Sequence, residues 1–195
     1  MNYILASKSP RRRELLGKLG IRFTVDPAVG EERMCGEGPE EIVQNLAEEK
    51  AREVAARHEG EQAVVIGADT VVAVDGRILG KPRDRAEMKQ MMMQLQNRAH
   101  EVYTGVAIVY ETGGETACHS FVQATQVRLY PVSEAEAEIY ARCSDGLDKA
   151  GGYGMQSDAA VFVEGITGDY NNVVGLPVAR LYHELRALGL FVPVE

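Results

Sequence analysis

Leu5–Gly20 reads LASKSPRRRELLGKLG. Just before and into it, Tyr3-Ile4-Leu5-Ala6 has the length and β-propensity of a buried strand. Ser9 is a good helix N-cap, and Pro10 fits the first helical position, where a missing N–H costs nothing. Leu15, Leu16 and Leu19 then recur at helical spacing and give a face that packs on a sheet. At roughly 100° per residue, Arg11 and Arg12 continue that face one turn earlier, while Arg13 points away. Past the strand end they have no core to enter. With the unpaired N–H groups and positive dipole end of the helix, they would form an anion site suited to a polyphosphate. The competing reading is an ordinary strand–turn–helix with a solvated basic cap, and these residues alone leave the two level.

Outward from this stretch, Ile21–Val25 alternates like a strand and Asp26–Gly38 is an acidic loop. Pro39 opens a helix to about His58 whose stripe is Ile42, Val43, Leu46, Ala47, Val54 and Ala55. Lys50, one turn after Leu46, lies near the stripe's edge, and periodicity favours a snorkelling surface lysine. Ala63–Ala68 is an apolar strand expected to end at Asp69; Asp75-Gly76 between Val71–Val74 and Arg77–Leu79 predicts a hairpin. A carboxylate flanked by apolar residues is costly unless it is paired or holds a cation, so Asp69 is read as functional. Gly80-Lys81-Pro82 puts a lysine on a rigid turn.

Asp84–Asn97 is predicted helical, with Met88, Met91, Met92 and Leu95 as core rather than a ligand box. Two long strands follow, Glu101–Tyr110 and about Thr116–Tyr130. Ser133–Cys143 starts with a capping box. The run Asp148–Gln156 carries three glycines besides Lys149 and reads either as a flexible loop or as backbone that approaches a ligand closely. Val161–Ile166 is a strand, and Pro177 opens the last helix, to about Leu188. The pattern predicts an α/β or α+β chain with a mixed sheet, taken as one domain over 1–195.

The chain has 195 residues, 45% of them hydrophobic, and a net charge of −8. That charge, without a basic-aromatic strip, argues against nucleic-acid binding and an anionic membrane surface. The absence of an apolar run of about 18 residues or a signal-peptide core predicts a soluble, cytoplasmic protein. Cys35, Cys118 and Cys143 lack the spacing of a disulfide framework or zinc site. The histidines, His58, His100, His119 and His183, are assigned to surface or strand-edge positions.

Arg11, Arg12, Lys81 and Lys149 are cationic groups at turns after strands; Glu31, Glu32 and Asp69 are acidic ones. Phosphoryl chemistry on a nucleotide needs both kinds. Carboxylates hold Mg²⁺ or Mn²⁺ and can orient or deprotonate water, and Arg and Lys neutralise a departing pyrophosphate. No Ser or Cys has a His in a usable nucleophilic motif, which leaves attack by water.

In order along the chain stand LASKSPRR (5–12), LAEEKA (46–51), GADTVV (67–72), LGKP (79–82), VYTGVAI (102–108), DKAGGYGMQ (148–156) and NNVVGLP (171–177). This series resembles the Maf family of nucleotide pyrophosphatases. The resemblance implies an elongated α/β fold, similar to inosine-triphosphate pyrophosphatases, with a mixed central sheet flanked by helices and a cleft between two lobes. It implies hydrolysis of a nucleoside triphosphate to the monophosphate and pyrophosphate, with a divalent metal. Asp69 matches the family's acid–base carboxylate. Ser7, Arg11, Arg12, Lys50 and Lys81 match polar and phosphate-binding positions, with Lys81 also grouped as catalytic. Glu31 or Glu32 matches the acidic loop position; the family often has Asp-Glu there, and both glutamates remain candidates to join Asp69 at the metal.

DKAGGYGMQ is similar to the branch acting on dTTP and UTP, with Gln156 as base reader and Arg11 and Thr70 at specificity positions. A Gln amide can meet the N3–H and a carbonyl of uracil or thymine together. Ser157 departs from the glycine common there. The alternatives are the same hydrolysis on 7-methyl-GTP and a nucleotide-binding regulator of septum formation. A homodimer is the expected assembly.

Overall fold

The computed structural model describes residues 1–143 and 146–191. The chain divides into two compact units, one made of Met1–Asp69, Thr104–Gln123 and 175–191, the other of Thr70–Tyr103 and Ala124–Val174. Three long strands, β3 (Ala63–Val74), β5 (Ala99–Thr112) and β6 (Glu115–Leu129), contribute a segment to each.

In the first unit β1 (Asn2–Leu5) runs parallel to both β2 (Phe23–Val25) and β3, with Leu5 opposite Val25 and Ile66. Parallel neighbours need crossovers, and these are α1 (Pro10–Gly17) and α2 (Pro39–Arg57). Ser9 caps α1, its Oγ accepting from Arg12 N; Leu15 and Leu16 are buried and Arg13 is exposed, as the leucine face predicts. Ala47, Ala51 and Val54 of α2 pack on Ile4, Val65, Ala107 and Val109. The approach is close enough to require glycine on the strands. A Cβ at Gly67 would lie 2.4 Å from Ala47 O, and one at Gly105 2.2 Å from Val43 O. The last helix, α6 (Val178–Ala187), buries Val178, Leu181 and Leu185.

In the second unit β3 continues into β4 (Arg77–Leu79), antiparallel, with Val72 opposite Leu79. Asp75 and Gly76 both have positive φ, 50° and 72°, the signature of a type I′ hairpin turn. β7 (Val163–Thr167) adds antiparallel to β6, so parallel and antiparallel pairs both occur and the predicted mixed α/β class holds. The helices are α3 (Arg85–Leu95), α4 (Glu134–Cys143) and the short α5 (Tyr170–Val174). Met88, Met92 and Leu95 share a core with Val102, Leu129, Ala137 and Tyr140, so the methionine stripe is packing. The capping box forms at Ser133, whose N donates to Glu136 Oε2 at 2.8 Å.

Two expectations are corrected. β3 does not stop at Asp69; it runs on through Thr70 because Val71–Val74 is as buried as Val64–Ile66 and keeps the chain extended. The strand expected from Val161 begins at Val163, after a 3-10 turn over Asp158–Phe162 that buries Ala159.

Candidate active site

Asp69 follows Gly67 by two residues and therefore shares its strand face, the one turned to α2. Gly67 lets α2 approach, and Lys50 on α2 reaches Asp69, with Nζ 2.5 Å from Oδ1. The side chains of Lys50 and Asp69 retain 15% and 14% of their exposure, so water screens their attraction little. The surface-lysine reading is thereby overturned: the stripe's edge faces a strand carboxylate, not solvent. The same Nζ lies 2.8 Å from Glu32 Oε1. Both loop glutamates are exposed, and Glu32 is the one whose carboxylate meets Lys50.

The loop before Glu32 is anchored. Val29 N and Gly30 N donate to the two carboxylate oxygens of Glu53 at 2.9 and 3.0 Å, and these bonds, with Arg57, hold its pKa below the ordinary range. Arg57 in turn donates to Asp26.

Arg12 donates from Nη1 to buried Ser7 Oγ at 3.3 Å and from Nε to Gly175 O at 2.9 Å. Burial pushes its pKa down; Asp69 and Glu32 oppose that, and Arg11 adds to it as a like charge. The electrostatic neighbours of Arg12 are thus residues singled out from sequence. Ser7, Arg11, Arg12, Glu32, Lys50 and Asp69 form one cluster within the first unit, with Glu31 beside it in sequence.

Asp69 and Glu32 both meet Lys50 Nζ, and their carboxylates are the hard oxygen donors that Mg²⁺ or Mn²⁺ prefers. Among the described residues no group of three or more His, Cys, Asp or Glu could hold a metal. Mg²⁺ is commonly bound by one or two carboxylates with substrate phosphates completing its shell, so the donor set fits a metal that arrives with a nucleotide.

In the second unit Thr70 is half-buried on β3 and Lys81 is exposed just after β4. Gly151 N donates to Gly80 O at 3.0 Å, tying the turn of Lys81 to the segment Lys149–Gln156. Gly151 and Gly152 take φ of 70° and 72°, and a Cβ on them would press Val72 and Met88. Both glycines thus let the segment pack closely on this unit's own core. Lys149 is 8% exposed, with Nζ 2.7 Å from Asp148 Oδ1 and its stem filling the space a Cβ on Gly154 would need. Gln156 is exposed, and Ser157 closes the turn after it, its Oγ donating to Gly154 O at 2.8 Å.

His100 is a correction. It is fully buried, with Nε2 2.6 Å from Tyr153 Oη and the rings edge to face. Burial, aided by Arg98, lowers its pKa to about 4. The signal was its period-two spacing with Val102 and Thr104, which are buried on the same face. The anchoring by Glu53 and the partnership of Arg12 with Gly175 O had no sequence signal.

The chain is 47% identical to a dTTP/UTP pyrophosphatase of Agathobacter rectalis, over 97% of this chain and 98% of that protein. A dTTP/UTP pyrophosphatase of Carboxydothermus hydrogenoformans is also 47% identical, over 97% of this chain and 100% of its own. Among solved structures, a dITP/XTP pyrophosphatase of Mycobacterium abscessus aligns over 100% of both chains with a TM-score of 0.48 and 18% identity. The family model described as Maf-like protein matches residues 2–188, and the chain belongs to that family.

Proposed function

We propose that the chain hydrolyses dTTP and UTP to the nucleoside monophosphate and pyrophosphate by attack of water. The observation that carries this reading is the cluster in which Lys50 joins Asp69 and Glu32 while Arg12 feels both carboxylates. Relatives alike over nearly their whole length bear the name of that activity.

Asp69 is the group that orients and deprotonates water. The contact with Lys50 keeps its carboxylate aimed. Arg11 and Arg12, at the N-terminus of α1 where backbone N–H groups favour anions, hold the phosphates, and Ser7 fixes the Arg12 fork. Lys81 and Lys149 add positive charge where the pyrophosphate departs, a stabilisation that grows toward the transition state. Asp69 and one loop glutamate, read as Glu32 on the support of its contact with Lys50, are the groups that would hold Mg²⁺ or Mn²⁺; bound there, the cation would neutralise phosphate charge. Gln156 reads the pyrimidine edge, with Arg11 and Thr70 contributing to base choice. Among the described residues no helix is long and apolar enough to cross a membrane.

A panel of nucleoside triphosphates assayed for pyrophosphate with Mg²⁺ and Mn²⁺ tests this. UTP and dTTP should be turned over well above 7-methyl-GTP and the purine nucleotides. A preference for 7-methyl-GTP, or nucleotide binding without turnover, would overturn it.

A further inference from the structure

The second unit holds a polar pair that the reaction does not use. His100 and Tyr153 are 0% and 5% exposed, and they bond to each other in a core of Met88, Val102 and Tyr140. His100 Nδ1 has no partner among the described residues. Whichever tautomer is present, one ring nitrogen stays unsatisfied. A core that keeps such a group carries a cost that an apolar pair would avoid.

Tyr153 sits between Lys149 and Gln156. Next to it, Gly152 O accepts from Tyr140 Oη at 2.9 Å, and Gly151 N donates to Gly80 O. Three directional bonds therefore fix consecutive residues 151–153, two of them reaching into the core. The glycines supply the left-handed backbone but no rigidity of their own; the hydroxyls of Tyr140 and Tyr153 supply it.

We infer that His100 and Tyr153, with Tyr140, are positioning residues for substrate selection: they hold the Lys149–Gln156 segment in one conformation so that Gln156 meets the base at a fixed place. This rests on the reading of Gln156 as the pyrimidine contact. A side chain that discriminates by paired hydrogen bonds must be held to within about 0.5 Å, and Gln156 itself is exposed and in a turn.

Tyr153→Phe removes one oxygen and keeps the ring; Tyr140→Phe does the same at the second anchor. In both, KM for UTP and dTTP should rise roughly fivefold or more with kcat within about twofold, and the preference for UTP over CTP should shrink by a similar factor. Amide hydrogen exchange over 149–157, read by mass spectrometry, should accelerate. Unchanged KM, preference and exchange, with only a lower melting temperature, would mean the pair is merely structural and overturn the inference. If the wild-type chain hydrolyses neither UTP nor dTTP, the functional reading fails separately, and the exchange comparison still decides whether the hydroxyls hold the segment. If one variant does not fold, the other gives the same readouts.

Discussion

Lys50 and Asp69 meet across the contact of α2 with β3, at a point where Gly67 gives the helix room. A lysine placed there serves two carboxylates at once, Asp69 and Glu32. Helix packing and the chemistry of the cluster are thus one arrangement.

Lys50→Ala should leave a folded protein whose kcat for UTP falls by about 10²–10³-fold, since an electrostatic group aimed at the reacting carboxylate is lost. Lys50→Arg keeps the charge but not the compact ammonium, and should recover only part of the rate. Steady-state pyrophosphate release beside circular dichroism checks both.

Gly67→Ala tests whether helix approach sets the site. The added methyl meets Ala47 O and the backbone N of Ala51, neither of which can swing aside. Overpacking of this kind costs about 1–3 kcal/mol, readable in urea unfolding. The rate should fall as well, because α2 carries Lys50.

Gln156→Glu should impair UTP and dTTP selectively, because a carboxylate cannot donate to a base carbonyl. Equal loss over all nucleotides in the panel would count against base reading at this position.

Two histidines should shape stability against pH with opposite signs. His100 has its folded pKa depressed to about 4, below the roughly 6.5 of an unfolded histidine. The unfolded chain then binds more protons in that window, so stability is full above about pH 6.5 and falls by about 3 kcal/mol toward pH 4. His100→Asn should flatten that loss in unfolding curves.

His58 is raised, by Glu61 first and then Asp26. Its contribution is full below about pH 6.5 and is lost as pH rises through the folded value. His58→Ala should therefore lower the melting temperature near pH 6 and matter little near pH 9.

Much of this was legible in the chain itself. Ser9-Pro10 marked the start of α1, the leucine spacing gave its buried face, and Asp75-Gly76 marked the hairpin. Local signals sufficed because each rule acts over a few residues. What sequence could not supply was partnership across long separations. Lys50 looked like a surface lysine because periodicity knows only its own helix and not the strand carboxylate 19 residues on. Asp69 looked like a strand end because a charged residue breaks an apolar run, yet a cation waits for it. His100 differs: its period-two spacing with Val102 and Thr104 marks the buried face of β5, and only its bond to Tyr153, 53 residues away, has no local signal. Gly67 did carry a signal, since a glycine inside an apolar strand points to close backbone approach.

The most direct test of the account is the initial rate of pyrophosphate release from UTP by wild-type protein and by Asp69→Asn, side by side, with folding of both verified. The variant should keep the fold and lose nearly all activity, because its amide cannot take a proton from water. Turnover at the wild-type rate in Asp69→Asn would contradict the assignment of Asp69 as the acting carboxylate and, with it, the mechanism built on its contact with Lys50.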